Sequence, residues 1–346
     1  MADETASIGR TVQQTMKYAM HSHQDKNARE TQEDTLVAGA LPLPGGGLIH
    51  LAAVFDGHGG GDVSAFLRDN LVRKLAASLA GRRERMSEAV SEALVAIDRE
   101  IPAEMSMSCG STGVVVLVDD QSRTITCANT GDSRAILVRK ERSMSMCSDA
   151  QSSSSSSSSQ EQGTRTRSRS RSRSDATFVY IDMVPLSEDH LPRREDERER
   201  IEAAGGRFIF NMGAERVGGG LMMTRAFGDS MFRSSGVIPD PETKTVAIEG
   251  DDDCIVVATD GLWDRIGNAE AASITRATLD RAADRGCTPN QGVRIASKVL
   301  AKVAKQRGSR DNITVVVIDL DNERKRRRTG LASEVQGEND LLLRPS

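Results

Sequence analysis

The sequence predicts a mixed α+β fold, and two observations carry that prediction. Short apolar runs bounded by glycine and charge follow one another directly between Gly113 and Val138, at hairpin spacing, which favours antiparallel pairing. Stretches with the helical period lie between other such runs, so the chain is neither all-β nor a regular alternation of strand and helix. In chain order, strands are expected at Leu48–Phe55, Gly113–Val118, Thr124–Ala128, Ala135–Val138, Phe178–Val184, Ile255–Thr259 and Ile313–Leu320. Helices are expected at Asp62–Leu79, Arg85–Arg99, Arg193–Ala204, Asn268–Ala283 and Gln291–Lys305, with Gly205 and Gly206 stopping the third. At 346 residues, 38% of them hydrophobic, the chain holds enough apolar material for one large domain or two small ones. Spacing leaves open whether the strands form one sheet or two.

One segment breaks the pattern. Ser148 to Ser174 runs through eight consecutive serines, Ser152 to Ser159, into alternating arginine and Ser or Thr, with almost nothing apolar to hold it in a core. It is expected to be disordered, and its place between Ala135–Val138 and Phe178–Val184 makes it an insertion in a hairpin connection. The expected organisation is a tail over 1–22, one domain over 23–320 interrupted at 148–174, and a tail over 321–346 that carries RKRRR at Arg324–Arg328. The Ser/Arg stretch reads as a passive polar loop, as a docking segment switched by a kinase, or as an RNA-binding arm. The RKRRR run matches a nuclear import signal.

Composition limits the alternatives. Lys plus Arg total 46 against 50 Asp plus Glu, and the net charge of −4 gives no global pull towards nucleic acid or anionic membrane. The cysteines, Cys109, Cys127, Cys147, Cys254 and Cys287, are odd in number and form no CxxC pair, which argues against a disulfide framework and a structural zinc site. The stretch MADETASIG lacks the apolar core of a signal peptide, Ala2 stands where myristoylation needs glycine, and no run is long enough to span a bilayer. The expectation is an intracellular monomer off the membrane, in the cytoplasm or the nucleus.

Five acidic motifs carry the chemistry: ETQED ending at Asp34, DGHGG from Asp56, GDSR around Asp132, DGLWD from Asp260 and SRDN with Asp311. Taken singly, an Asp-Gly is most often a turn. Here each carboxylate sits beside glycine or at the mouth of an apolar run, where a strand would deliver it to a sheet edge, and together the five read as one metal site. Oxygen ligands without a Cys or His cluster suit Mg²⁺ or Mn²⁺ rather than zinc, and a pair of such ions is a standard means of hydrolysing a phosphate ester.

The blocks RETQED, VFDGHGG, GSTG, ANTGDSRA, LSEDHLPRREDERERI with AAGG, RVGGGLMMTRAFGD, VVATDGLWD and GSRDNITVVV stand in an order that resembles the metal-dependent Ser/Thr protein phosphatases of type 2C. The similarity runs from Lys26 to Leu320 apart from the insertion. It implies a central antiparallel β-sandwich flanked by helices on both sides. It also implies hydrolysis of phosphoserine and phosphothreonine in protein substrates by direct attack of a hydroxide held between two Mg²⁺ or Mn²⁺ ions. By that resemblance Asp56 bridges the ions, Asp260 and Asp311 complete one, and Glu33 with the backbone carbonyl of Gly57 completes the other. Asp34 orients a metal-bound water, and Asp132 and Asp264 join Asp260 around a weaker third ion. Arg29 clamps the substrate phosphate and His58 protonates the departing Ser or Thr oxygen. Asp189 and His190 are expected to cap a helix and pin the fold, and Trp263 to pack behind the cleft. The sequence departs from the family at Lys26–Ala28 and Gln32, and the segment after Asp229 that serves many members as a flap is short here. Two other classes compete: a scaffolding pseudoenzyme, which the retained carboxylates weigh against, and a nucleic-acid-binding protein acting through the Ser/Arg stretch.

Overall fold

The long apolar runs do not alternate with polar residues, and the layering explains why. The computed structural model describes residues 18–23, 31–43, 46–140, 142–143, 179–180 and 182–320. One five-stranded sheet has the order β15 (Glu242–Ala247), β7 (Thr124–Thr130), β6 (Gly113–Asp119), β3 (Leu48–Phe55), β2 (Thr35–Pro42). A second has the order β1 (Tyr18–His23), β17 (Ile313–Asp319), β16 (Asp252–Ala258), β8 (Arg134–Arg139), β11 (Met183–Pro185). All pairings in both are antiparallel.

The period-2 geometry of a strand sorts each run between two cores. On β3, Leu51, Ala53 and Phe55 join the core under helices α1 (Asp62–Leu79) and α2 (Met86–Asp98), while Ala52 and Val54 face the other sheet. On β17, Val315 and Val317 meet α6 (Asn268–Asp284) and α7 (Pro289–Gln306), while Val316 and Ile318 face inward between the sheets. The result is four layers, helix, sheet, sheet, helix, the α+β sandwich expected. Each fully buried Val, Leu or Ile contributes about 1.5–3 kcal/mol, so strands buried on both faces fix the register firmly.

Local rules account for the covering helices. The first, α1, buries Val63, Leu67, Leu71, Leu75 and Leu79 at a spacing of one turn, with Asp62 in its positive first turn. The last, α7, starts at Pro289 rather than at the expected Gln291: Thr288 and Gln291 form a reciprocal capping box, and a proline fits the first helical position. Smaller helices are α3 (Ala103–Ser108), α4 (Glu195–Ala203) and α5 (Asp260–Trp263).

Two regions differ from the sequence reading. Residues 18–22, expected in the N-terminal tail, belong to β1, which pairs with β17 from Tyr18↔Ile318 to His23↔Ile313. The expected strand Phe178–Val184 is split into β10 (Val179–Tyr180), paired with β9 (Arg142–Ser143), and β11, paired with β8. The strands bracketing 148–174 therefore pair with each other, while that segment itself lies outside the described residues, as do Arg29 and the RKRRR run.

Candidate metal centre

Antiparallel order brings one end of both sheets to a common mouth. The start of β2 pairs with the end of β3 (Thr35↔Phe55), and the start of β6 with the end of β7 (Gly113↔Thr130). The end of β16 meets the start of β8 and the third residue of β17 (Ala258↔Arg134, Ala258↔Val315). Asp34 precedes β2, Asp56 follows β3, Asp132 lies in the turn between β7 and β8, Asp260 opens α5 just past β16, and Asp311 precedes β17. Segments far apart in sequence thus deliver acids to one place.

Asp56 stands at the centre. The charges of Asp34 and Asp260 are the two that act on it most strongly. Burial first, then the charges of Asp34, Asp260, Asp132 and Asp311, push it well above the ordinary carboxylate range. Burial likewise drives Asp260 well above that range, helped by Asp132, Asp311 and Asp264. Asp34 and Asp132 are each pushed up to about 6, again chiefly by burial. Acids that resist ionisation because they are buried beside one another are the kind of cluster a cation relieves.

The donor set fits hard cations on a separate observation. Oδ1 of Asp34, Oδ1 of Asp132 and Oδ1 of Asp260 are buried and have no hydrogen-bond partner. Buried carboxylate oxygens are costly unless paired or metal-bound, so three such orphans around one acid make a cation-shaped deficit. Among the described residues, no three His, Cys, Asp or Glu side chains stand close enough together to hold a metal ion as they are.

Supporting contacts come from the motifs' other residues. Thr259 Oγ1 donates to Asp34 Oδ2 at 3.1 Å, and accepts from Thr314 N at 3.1 Å. Asn312 Oδ1 accepts from Glu33 N at 2.9 Å, and its Nδ2 donates to the Thr31 carbonyl at 3.3 Å. The glycines of the two DG motifs are there for room rather than for a turn. A Cβ on Gly57 would meet the Glu33 carbonyl at 2.6 Å, and one on Gly261 would collide with the Asn312 carbonyl. Each lets a neighbouring motif's backbone approach its aspartate.

Several expected residues sit apart from this centre. The Glu33 carboxylate takes a hydrogen bond from Thr31 Oγ1 at 2.9 Å, and its charge reaches His58. Asp264 is exposed at the C-terminal end of α5, at the rim. Arg29 lies outside the described residues. Asp189 does not cap a helix. It forms a two-point ion pair with Arg134 (Nε to Oδ1, 2.8 Å), whose guanidinium lies over Trp263 and also donates to Asn268 Oδ1 at 2.7 Å. Buried His190 pins the fold: Nδ1 accepts from Gly131 N at 3.1 Å, just before Asp132. Trp263 packs in the core beneath α6 and α7, its Nε1 donating to the Ala258 carbonyl at 2.9 Å.

Sequence reasoning missed Asp229. Its Oδ2 lies 2.6 Å from His58 Nε2. Burial alone would lower the imidazole's pKa, and the hydrogen bond and charge of Asp229 more than reverse this. The available signal was an acid in FGD that no strand or helix pattern explained.

A family model described as Protein phosphatase 2C matches residues 18–157 and 170–313. The chain belongs to the protein phosphatase 2C family. Protein phosphatase 2C 56 of Arabidopsis thaliana is 33% identical over 303 residues, 80% of this chain and 59% of that one. Protein phosphatase 2C 50 of Oryza sativa subsp. japonica is 30% identical over 329 residues, 84% of this chain and 73% of that one. The chain spans 59% of the first of these relatives and 53% of Arabidopsis protein phosphatase 2C 7. Among solved structures, the serine-threonine phosphatase 2C from Toxoplasma gondii superposes with a TM-score of 0.62 at 20% identity, covering 87% of this chain and 94% of that one. A C. elegans sex determining protein gives 0.65 at 23% identity, covering 88% and 65%. At those identities the structural likenesses speak for the fold of this protein phosphatase 2C chain.

Proposed function

We propose that this chain is a protein serine/threonine phosphatase that depends on two Mg²⁺ or Mn²⁺ ions, with a weaker third. The observation that carries the reading is the convergence of Asp34, Asp56, Asp132, Asp260 and Asp311 at one sandwich mouth, with a buried Oδ1 of Asp34, of Asp132 and of Asp260 left unpartnered. The ions would supply the attacking hydroxide and neutralise charge on the phosphoryl group. Asp56 would bridge both ions. Asp260 and Asp311 would complete one, and Glu33 with the Gly57 carbonyl the other, while Asp34 orients water and Asp132 and Asp264 serve the third. Arg29 would hold phosphate oxygens as a planar guanidinium suits, and His58 would protonate the leaving oxygen, with no covalent phosphoenzyme. Substrates are phosphorylated proteins.

The folded unit over 23–320, with β1 added, acts as one catalytic domain closed across 148–174. Among the described residues no helix is long and apolar enough to cross a membrane. Among the described residues, Cys109, Cys127, Cys254 and Cys287 form no disulfide, which suits a reducing intracellular compartment.

The test is hydrolysis of a phosphothreonine peptide by the full chain with Mn²⁺, with EDTA, and as Asp260→Asn. Activity with Mn²⁺, lost in the other two, is expected. Turnover that survives Asp260→Asn overturns the metal assignment, and calorimetry finding no Mn²⁺ binding in a protein without turnover overturns the reading in favour of a scaffold.

A further inference from the structure

We infer that Asp229 is a positioning residue for His58: it takes Nε2 of the imidazole and leaves Nδ1 as the ring nitrogen that serves the departing oxygen. This rests on the phosphatase reading above, in which His58 is the proton donor.

The pair is built into a three-stranded ribbon, β4 (Gly57–His58), β5 (Gly110–Ser111) and β14 (Phe227–Gly228). His58, Gly110 and Gly228 lie side by side across it, and Asp229 follows directly. Gly110 has no space for any other side chain, since a Cβ there would land on the Asp229 carboxylate and on His58 Nε2. The middle strand is bare because the two side chains meet over it.

Asp229 is held rigidly and at a cost. Its backbone is left-handed, φ 47° and ψ 40°, a conformation that costs a non-glycine residue about 1–2 kcal/mol. The surroundings enforce it. Asp229 N donates to the Cys109 carbonyl at 3.1 Å, and Gly228 N donates to Asp98 Oδ1 at 2.8 Å. Arg233 Nη2 donates to that same Asp98 oxygen at 2.8 Å. The nearby guanidinium is thus committed to Asp98, while Oδ2 of Asp229 is directed at the imidazole. Strain maintained by a network of this kind is characteristic of functional sites.

An imidazole free to turn offers either nitrogen to a substrate. One edge held by a buried carboxylate fixes the ring plane and the tautomer, as the orienting acid does in other His-dependent sites. His58 is half-buried beside an Asp229 that is only 6% exposed, so the edge held by Asp229 is the inner one. In the reaction His58 starts as an imidazolium with Nε2–H on Asp229; the phosphorus–oxygen ester bond breaks, the Ser or Thr oxygen takes the Nδ1 proton and leaves the Nε2–H tautomer, and the phosphoryl group takes its new oxygen from water, whose released proton restores the imidazolium through solvent.

The test compares the full chain with Asp229→Asn, Asp229→Ala, His58→Ala and the double variant His58→Ala/Asp229→Ala, each with Mn²⁺ on two substrates. A phosphothreonine peptide needs its leaving alkoxide protonated, and p-nitrophenyl phosphate does not. In both Asp229 variants the ratio of peptide kcat to nitrophenyl kcat should fall about tenfold or more, within the range general acid catalysis supplies, with peptide KM unchanged. The double variant should be no worse than His58→Ala, because the two act as one unit. A readout independent of turnover is a downfield imidazole proton in NMR spectra of the metal-free protein, present in wild type and absent in Asp229→Ala and His58→Ala. Equal losses on both substrates, additive losses in the double variant, or wild-type protein without that resonance would overturn the assignment. Wild-type protein inert to both substrates while showing the resonance instead overturns the phosphatase reading.

Discussion

Gly261→Ala should damage the metal centre without touching a charge. An ideal Cβ at 261 falls inside the Asn312 carbonyl oxygen and lies 3.0 Å from that carbonyl carbon and 3.2 Å from Ile313 Cγ1. Ordinary carbon–carbon contacts sit at about 3.5–4.0 Å, so the Asn312 peptide must retreat by the better part of an ångström. It carries Asp311 on one side and, through its side chain, the Glu33 and Thr31 backbone on the other. Overpacking of this kind costs about 1–3 kcal/mol, a fall in Tm of about 2–5 °C for a folded unit of this size. Displacing the residues that orient ligands typically lowers metal affinity by about 10–100-fold. Calorimetric titration with Mn²⁺ and thermal unfolding without metal measure the two effects. Gly267→Ala is the control from the same loop, since a Cβ there meets nothing within 4 Å. Should Gly261→Ala match Gly267→Ala in both Tm and Mn²⁺ affinity, the claim that the DG glycine exists for backbone approach is wrong.

Three further outcomes follow from the same contacts. Asp34 is displaced from 3.8 to about 6, so the folded protein binds this proton more tightly than the unfolded chain. Stability of the metal-free protein should therefore fall as pH rises through that window, by at most about 3 kcal/mol for this group, and Asp34→Asn should remove that share. Melting curves in EDTA from pH 4 to 7 decide it, and a profile identical in Asp34→Asn counts against the shift. Arg134→Met leaves Asp189, at 8% exposure, without its guanidinium and should cost about 3–5 kcal/mol in urea unfolding, much of it recovered in Arg134→Met/Asp189→Asn. Leu71→Ala opens a cavity at a fully buried position of α1 and should cost about 2–5 kcal/mol with an unchanged m-value. A cost below ~1 kcal/mol there would mean that the core under α1 collapses around the gap.

What was legible in the sequence was what burial writes strongly. The run Leu48–Phe55 and the helix Asp62–Leu79 stand at the expected residues because both are dictated by long apolar patterns. β15, with the sequence ETKTVA, was invisible: it is mostly exposed at a sheet edge and is held by pairing with β7 rather than by its own side chains. β12 (Phe208–Asn211) and β13 (Ala214–Val217) were missed for the opposite reason. Their hairpin exposes Ile209, Phe210 and Met212, so its apolar residues do not mark a core. Its turn depends on positive φ at Met212 and Gly213. At the site, the acids announced themselves by type and neighbouring glycine. Asn312 and Asp229 did not, because their importance lies in partners 279 and 171 positions away in sequence, Glu33 and His58, that only the folded sheets bring near.

The acid cluster is in conflict with the fold that builds it. Burial that stabilises Ala258 and Ile313 on their strands also strips water from Asp56 and Asp260, and the neighbouring charges oppose ionisation. A sandwich buried on both faces of both sheets has the surplus stability to hold such a group together. A bound cation reverses the sign of every one of these interactions, so occupancy and stability become a single linked equilibrium. At a free ion concentration of 100 times Kd, each ion adds about 2.7 kcal/mol. Neutralising a central acid therefore acts in opposite directions on the two properties: it removes a ligand, and it relieves repulsion in the bare protein. On the proposed metal reading, the apolar framework and the acids it gathers work against each other until ions bind, and residues with no charge, Gly57 and Gly261 above all, set how closely the motifs that carry the acids approach.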